Sequence, residues 1–128
     1  MRKSTVLVLA GLLMVGILGQ ASVASAKRGE VVKSGSCSGA SSWKMKLSPD
    51  NGRIEAEFEV DQNVSGDTWK VRMKHDGVKF FAGKRTTHGA SGSFDVHRFQ
   101  DGNPGKDAFK ARATNLSTGE VCRASASI

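Results

Sequence analysis

The run WKMKLSPDNGRIEAEFEV, from Trp43 to Val60, carries the reading of the fold. Trp43, Met45 and Leu47 alternate with Lys44 and Lys46. Beyond Ser48-Pro49-Asp50-Asn51-Gly52, Ile54, Ala56, Phe58 and Val60 alternate with Glu55, Glu57 and Glu59. A period of two sends successive side chains to opposite faces of an extended chain, so each segment reads as a strand with one apolar face. The five residues between them have turn chemistry, which predicts a hairpin. Pairing Leu47 with Ile54, Met45 with Ala56 and Trp43 with Phe58 also sets Lys46 against Glu55 and Lys44 against Glu57. One register then serves both faces, by packing on one and by a lysine–glutamate ladder on the other.

The same alternation recurs downstream. Trp69, Val71 and Met73 interleave with Lys70, Arg72 and Lys74. Asp76-Gly77 is a two-residue hairpin signal that pairs Met73 with Phe80, Val71 with Ala82, Lys74 with Lys79 and Arg72 with Phe81. Lys84 to Gly92 is polar and glycine-bearing and reads as a loop. Phe94 and Val96 mark a further strand with Asp95 and His97 outward. Phe109, Ala111 and Ala113 form another with Lys110 and Arg112 outward, and the chain returns through Cys122, Ala124 and Ala126. Ala113 then faces Cys122, and Arg112 lies beside Arg123. Trp43 and Trp69 are expected in the core. The reading is all-β: an antiparallel sandwich of about seven strands.

The rest of the chain fixes compartment and size. Arg2 and Lys3 precede an uncharged apolar run, Val6 to Leu18, and small residues lead to Ala24-Ser25-Ala26, an A-x-A cleavage site. The run is too short to span a bilayer comfortably. Residues 1–26 are expected to be a secretory signal peptide and 27–128 a single domain, with 27–36 a flexible tail or a short leading strand. The expected location is secreted, extracellular or envelope-associated. In that oxidising setting the two cysteines, Cys37 and Cys122, are expected to form one disulfide. Closing so long a loop stabilises a fold by about 4–5 kcal/mol in the chain-entropy model. A chain of 128 residues excludes a two-domain enzyme or a barrel of eight strands and eight helices.

Phe109-Lys110-Ala111-Arg112-Ala113-Thr114-Asn115, with Gly119 and Ala124-Ser125-Ala126, resembles the last two strands of an immunoglobulin-like domain. Glu55 to Gly77, with Trp69 opening its second strand, is similar to the middle of a fibronectin type III module. The "GEVCRAS" ending resembles that of small exported actinobacterial-type proteins of unassigned function. Phe109 replaces the tyrosine of the family's tyrosine corner. Ala111 stands where an immunoglobulin cysteine would be. The resemblance implies an immunoglobulin-like sandwich and a binding or spacer role, by analogy of fold.

Chemistry-bearing patterns are sparse. There is no G-x-S-x-G, HExxH, Walker or EF-hand motif. His75 abuts the Asp76-Gly77 turn and reads as a solvated turn residue. Asp95 and His97 share a strand face, and a metal site there would need His88 as a third ligand; ordinary surface residues are the simpler reading. Asn63-Val64-Ser65 and Asn115-Leu116-Ser117 match the N-glycosylation pattern and equally well the chemistry of turns. No catalytic residue, metal or cofactor is expected, and the chain does not read as an enzyme.

Placing the strands in the fibronectin-like order brings charge together. One sheet then presents Lys70, Arg72, Lys74, Lys79, Phe81, Lys110, Arg112 and Arg123 outward: seven cations, one aromatic and none of the chain's 12 acids. The formal charge is +7 overall, and +5 once Arg2 and Lys3 leave with the signal peptide. A field of this kind attracts polyanions. The leading expectation is a noncatalytic, monomeric, exported binding module. Its partner would be an anionic envelope polymer, a polysaccharide or an acidic protein; nucleic acid is not expected. The alternatives are an inhibitor of a secreted hydrolase acting through Lys84 to Ser93, and a small-molecule carrier with room beneath the last hairpin.

Overall fold

In the computed structural model, residues 29–128 are described, so the leader reading for residues 1–26 lies outside the described residues. The alternating segments become eight strands: β1 (Val31–Ser36), β2 (Ser42–Asp50), β3 (Arg53–Asp61), β4 (Thr68–His75), β5 (Val78–Thr86), β6 (Ser93–Asp101), β7 (Ala108–Asn115) and β8 (Val121–Ser127). They form two antiparallel four-stranded sheets, β1-β2-β3-β6 and β5-β4-β7-β8. The leading segment is thus a strand, one more than the seven read from the alternation. The second sheet has the membership expected from the fibronectin-like order.

The first hairpin differs from expectation by two residues. Leu47 lies opposite Ala56, Met45 opposite Phe58 and Trp43 opposite Val60, with Lys46 opposite Glu57 and Lys44 opposite Glu59. The strands run through Ser48-Pro49-Asp50 to a tight connection in which Asn51 and Gly52 have φ of 50° and 80°. That left-handed pair suits the right-handed twist of the strands, and Asn-Gly is its preferred sequence. A two-residue displacement preserves the faces, so the core and the charge ladder survive it.

The second hairpin begins as expected, with His75 opposite Val78 and Lys74 opposite Lys79. A bulge then shifts the register between Met73 and Lys74. Met73 faces Phe81 rather than Phe80, Arg72 faces Ala82, Val71 faces Gly83 and Lys70 faces Lys84. The sequence Phe80-Phe81 explains the extra residue. Regular alternation would bury one ring and leave its neighbour in water, whereas the bulge packs both against the core. Burying a phenylalanine stabilises by about 1.5–3 kcal/mol, enough to offset a local break in the ladder. Strand β5 consequently continues to Thr86, and Lys84–Thr86 are not loop.

Between the sheets Met45, Leu47, Phe58, Val60, Trp69, Val71, Met73, Phe109 and Val96 are essentially inaccessible. Trp69 packs against Phe94 with ring centroids 6.0 Å apart. Trp43 is only half-buried at the β1 edge. Its ring covers Gly35, where a Cβ would come within 2.8 Å of ring carbon. The last hairpin has the expected register, Ala113 opposite Cys122 and Arg112 opposite Arg123. Cys37 and Cys122 are bonded across 85 positions, tying the end of β1 to β8. The bond is consistent with an extracellular location.

Candidate functional site

Strands β4, β7 and β8 each bury every second residue, and the intervening residues on their outer side are mostly cations. On β4, Lys70, Arg72 and Lys74 separate the buried Trp69, Val71, Met73 and His75. On β7, Lys110 and Arg112 separate Phe109, Ala111 and Ala113. On β8, Arg123 lies between Cys122 and Ala124. All six, with Lys79 of β5, are exposed. The register arranges them in rows across the strands. Arg72, Arg112 and Arg123 are successive partners, and so are Lys79, Lys74 and Lys110. Neighbouring strands lie about 4.8 Å apart, and alternate residues of a strand about 6.7 Å apart, so the two rows are parallel ridges.

A concavity of about 530 Å³ lies between the ridges. It is lined by Arg72, Arg112 and Arg123 on one side and by Lys74, Lys110 and Ser125 on the other, with Ala111 and Ala124 between them. These alanines are partners in the register and direct their side chains into the core, so backbone forms the floor. Among the described residues, no ion pair involves any of the seven cations. Lys46 pairs with Glu57 at 3.6 Å on the opposite sheet, where Lys44 also lies beside Glu59.

Phe81 does not join this face. The bulge turns it inward, and instead of lying beside Arg72 it has the guanidinium carbons of Arg85 and Arg98 each 4.9 Å from its ring centroid. The same bulge brings Lys84 beside Lys70. Sequence reasoning missed Lys84, and the adjacent phenylalanines were the signal that the alternation had to break before it.

The histidines are also placed differently. His75 is not a solvated turn residue: it is 6% exposed and stacks on Phe109 with centroids 4.3 Å apart. Its Nε2 lies 2.6 Å from Asp107 Oδ1 and 3.5 Å from Asp76 Oδ2. Asn103 N donates to Asp107 Oδ1, while Asn103 Nδ2 and Ala108 N donate to Asp76. Those donors hold the Asp76 carboxyl below the usual carboxylate range, the Ala108 amide contributing most. The arrangement clamps the β4–β5 turn to the β6–β7 loop. It is also the one group of three potential ligands among the described residues whose donor atoms are close enough to hold a metal. His88, His97 and Asp95 are not brought together: His97 Nε2 lies 2.5 Å from Glu55 Oε1, and His88 is backbone-paired with Ser93.

The β5–β6 loop is stitched to the β3–β4 loop. Thr87 Oγ1 donates to Val64 O at 2.7 Å, Ser65 Oγ to Gly89 O at 2.6 Å, and Gln62 N to Gly92 O at 3.0 Å. Of the two glycosylation patterns, Asn63 is an exposed turn residue with φ of 58°. Asn115 is 1% exposed, and its amide nitrogen donates to Asp67 at 2.9 Å. Compared with known proteins, the chain matches no family model, no curated protein and no solved structure.

Proposed function

We propose that this chain is a noncatalytic exported binding module that takes an anionic polymer on the outer face of the β5-β4-β7-β8 sheet. The observation that supports this reading most is the trough bounded by two cationic ridges, none of whose side chains is in an ion pair among the described residues. Cations held at cross-strand spacing repel one another, and a bound polyanion relieves that repulsion while releasing its own counterions. The apolar run and A-x-A site at the start of the chain, together with the disulfide, favour export.

The test compares reversals that change net charge equally at different places. Arg72→Glu/Arg112→Glu alters the arginine ridge, and Lys33→Glu/Lys106→Glu alters exposed lysines elsewhere. Binding to a sulfated polysaccharide should weaken steeply as salt rises, because surface attraction is screened over about 10 Å at 0.1 M. The ridge variant should lose most of the binding at low salt, and the control little. Equal loss from both would reduce the interaction to net charge, and no binding by the unaltered protein would remove the reading altogether.

A further inference from the structure

Building on that reading, we infer that the trough selects a linear chain linked through phosphate groups and without rings, as in inorganic polyphosphate or a glycerol-phosphate polymer. Three features of the face carry the inference. The first is its lack of aromatic side chains. Phe81 was the one ring expected there, and the β5 bulge places it against the core under Arg85 and Arg98. Single-stranded nucleic acids draw much of their binding energy from bases stacked on such rings. This trough is floored by strand backbone and walled by arginine and lysine side chains, so it offers a base no aromatic ring to stack on.

The second feature is the two-sidedness of the trough. Arg72, Arg112 and Arg123 flank one side; Lys74 and Lys110 flank the other. Each internal phosphate group of a phosphate-linked chain carries two unbridged oxygens that splay to either side of the plane of its bridging bonds. A chain lying along the trough, across the strands, can present one oxygen to each ridge at the same time. A polyglutamate carboxylate hangs from a flexible side chain with both oxygens at one end, so it reaches one ridge and loses more side-chain freedom in doing so.

The third is the composition of the ridges. Arginine presents a planar fork of donors suited to paired oxygens, while lysine is a compact charge that tolerates any geometry. With three arginines in register on one side, the arginine ridge orients the phosphates and the lysine ridge adds attraction.

Four probes of equal charge number separate the outcomes: inorganic polyphosphate, poly(glycerol phosphate), an oligothymidylate and polyglutamate, each titrated into the protein at low salt. Both ring-free phosphate chains should bind at least roughly tenfold more tightly than polyglutamate, about 1.4 kcal/mol. They should bind at least as tightly as the oligothymidylate, whose bases find no ring to stack on. An oligothymidylate that binds more tightly than both would overturn the exclusion of rings. The triple variant Arg72→Lys/Arg112→Lys/Arg123→Lys keeps every charge and all three positions are exposed. It should still bind polyanions but lose the preference for phosphate. Equal binding of all four polymers, or a preference unchanged in the triple variant, would overturn the phosphate assignment and leave the polyanion-binding face standing. Binding of none would overturn both.

Discussion

Phe81 of β5 and Arg98 of β6 meet across the edge where the two sheets part, the guanidinium carbon 4.9 Å from the ring centroid. Arg85, four residues along β5, is at the same distance from the same ring. The opposite edge is held covalently by Cys37 and Cys122. On the β5–β6 side the ring and its two cations take that place. Each exposed cation–π contact contributes about 0.5–1 kcal/mol, in addition to the area the ring removes from water.

Replacing Phe81 with Ala should therefore lower stability by about 1–3 kcal/mol, read from the midpoint of urea unfolding. The fold should persist, because Phe80 remains packed edge-on to Phe109 at 5.9 Å. Polyanion binding should be unchanged, since the ring points away from the trough. A folded variant that no longer binds would place the ring in contact with ligand and contradict its inward position.

The displacement of Phe81 shows where sequence stops being informative. Strand identity and the inward and outward faces follow from alternation, which is a local property, whereas the membership of the second sheet was implied by the fibronectin-like strand order. A bulge inserts one residue and reverses parity, and Phe80-Phe81 reads equally well with either ring inward. The slip of the first hairpin arose because Ser48-Pro49-Asp50 also has turn chemistry, although the chain turns one step later at Asn51-Gly52. Burial of His75 depends on Asp107 and Phe109, more than thirty residues away, and nothing beside it in the chain announces them. The cationic rows were legible because β4, β7 and β8 alternate cleanly and Lys79 lies on the turn side of the β5 bulge.

Gly92 should be the least replaceable glycine in the β5–β6 loop. It has φ of 59°, and a Cβ there would stand 2.3 Å from Val64 N and 2.6 Å from Val64 C. The obstructing atoms are backbone of the stitched β3–β4 loop, so no rotamer change relieves the clash. Gly92→Ala should cost at least about 2–3 kcal/mol through strain and overpacking combined. At Gly89, with φ of 74°, a Cβ would meet nothing within 4 Å, and Gly89→Ala should cost only about 1 kcal/mol. Parallel chemical denaturation of the two variants measures the contrast; similar losses would mean that close approach at Gly92 plays no part.

Acid should weaken the fold through two aspartates at opposite ends of the sandwich. Asp67 accepts from Asn115 Nδ2 at 2.9 Å and Gln62 Nε2 at 2.6 Å, and Asp76 from Ala108 N and Asn103 Nδ2. These donors hold both carboxyls below their ordinary values. Groups with depressed folded pKa contribute fully above the unfolded value, about 3.9, and lose that contribution as pH falls through the folded one. The thermal midpoint should accordingly decline below about pH 4. Asp67→Asn and Asp76→Asn should each melt lower than the unaltered protein at pH 7 and show a shallower decline in acid. A variant with an undiminished acid slope would remove that aspartate from the account.

Arg112 should be a position where stability and binding oppose each other. It stands between Arg72 on β4 and Arg123 on β8, directly opposite both in the register. Like charges facing each other across strands are destabilising, and opposite charges contribute about 0.2–1 kcal/mol per pair. Arg112→Glu converts two repulsive pairs into two attractive ones and should raise stability by about 1 kcal/mol at low ionic strength. Salt should stabilise the unaltered protein and shrink the difference, because screening acts on both pairs. The same change should abolish most polyanion binding by reversing the middle of the arginine ridge. A sequence that keeps a residue at odds with its neighbours is characteristic of functional sites, where stability yields to activity. Thermal unfolding of both proteins at low and high salt, beside binding titrations, decides the matter. If Arg112→Glu is no more stable at low salt, the guanidiniums do not repel appreciably and the case for a retained, costly ridge fails. If it is more stable and binds as well as before, the ridge is not what holds the polymer.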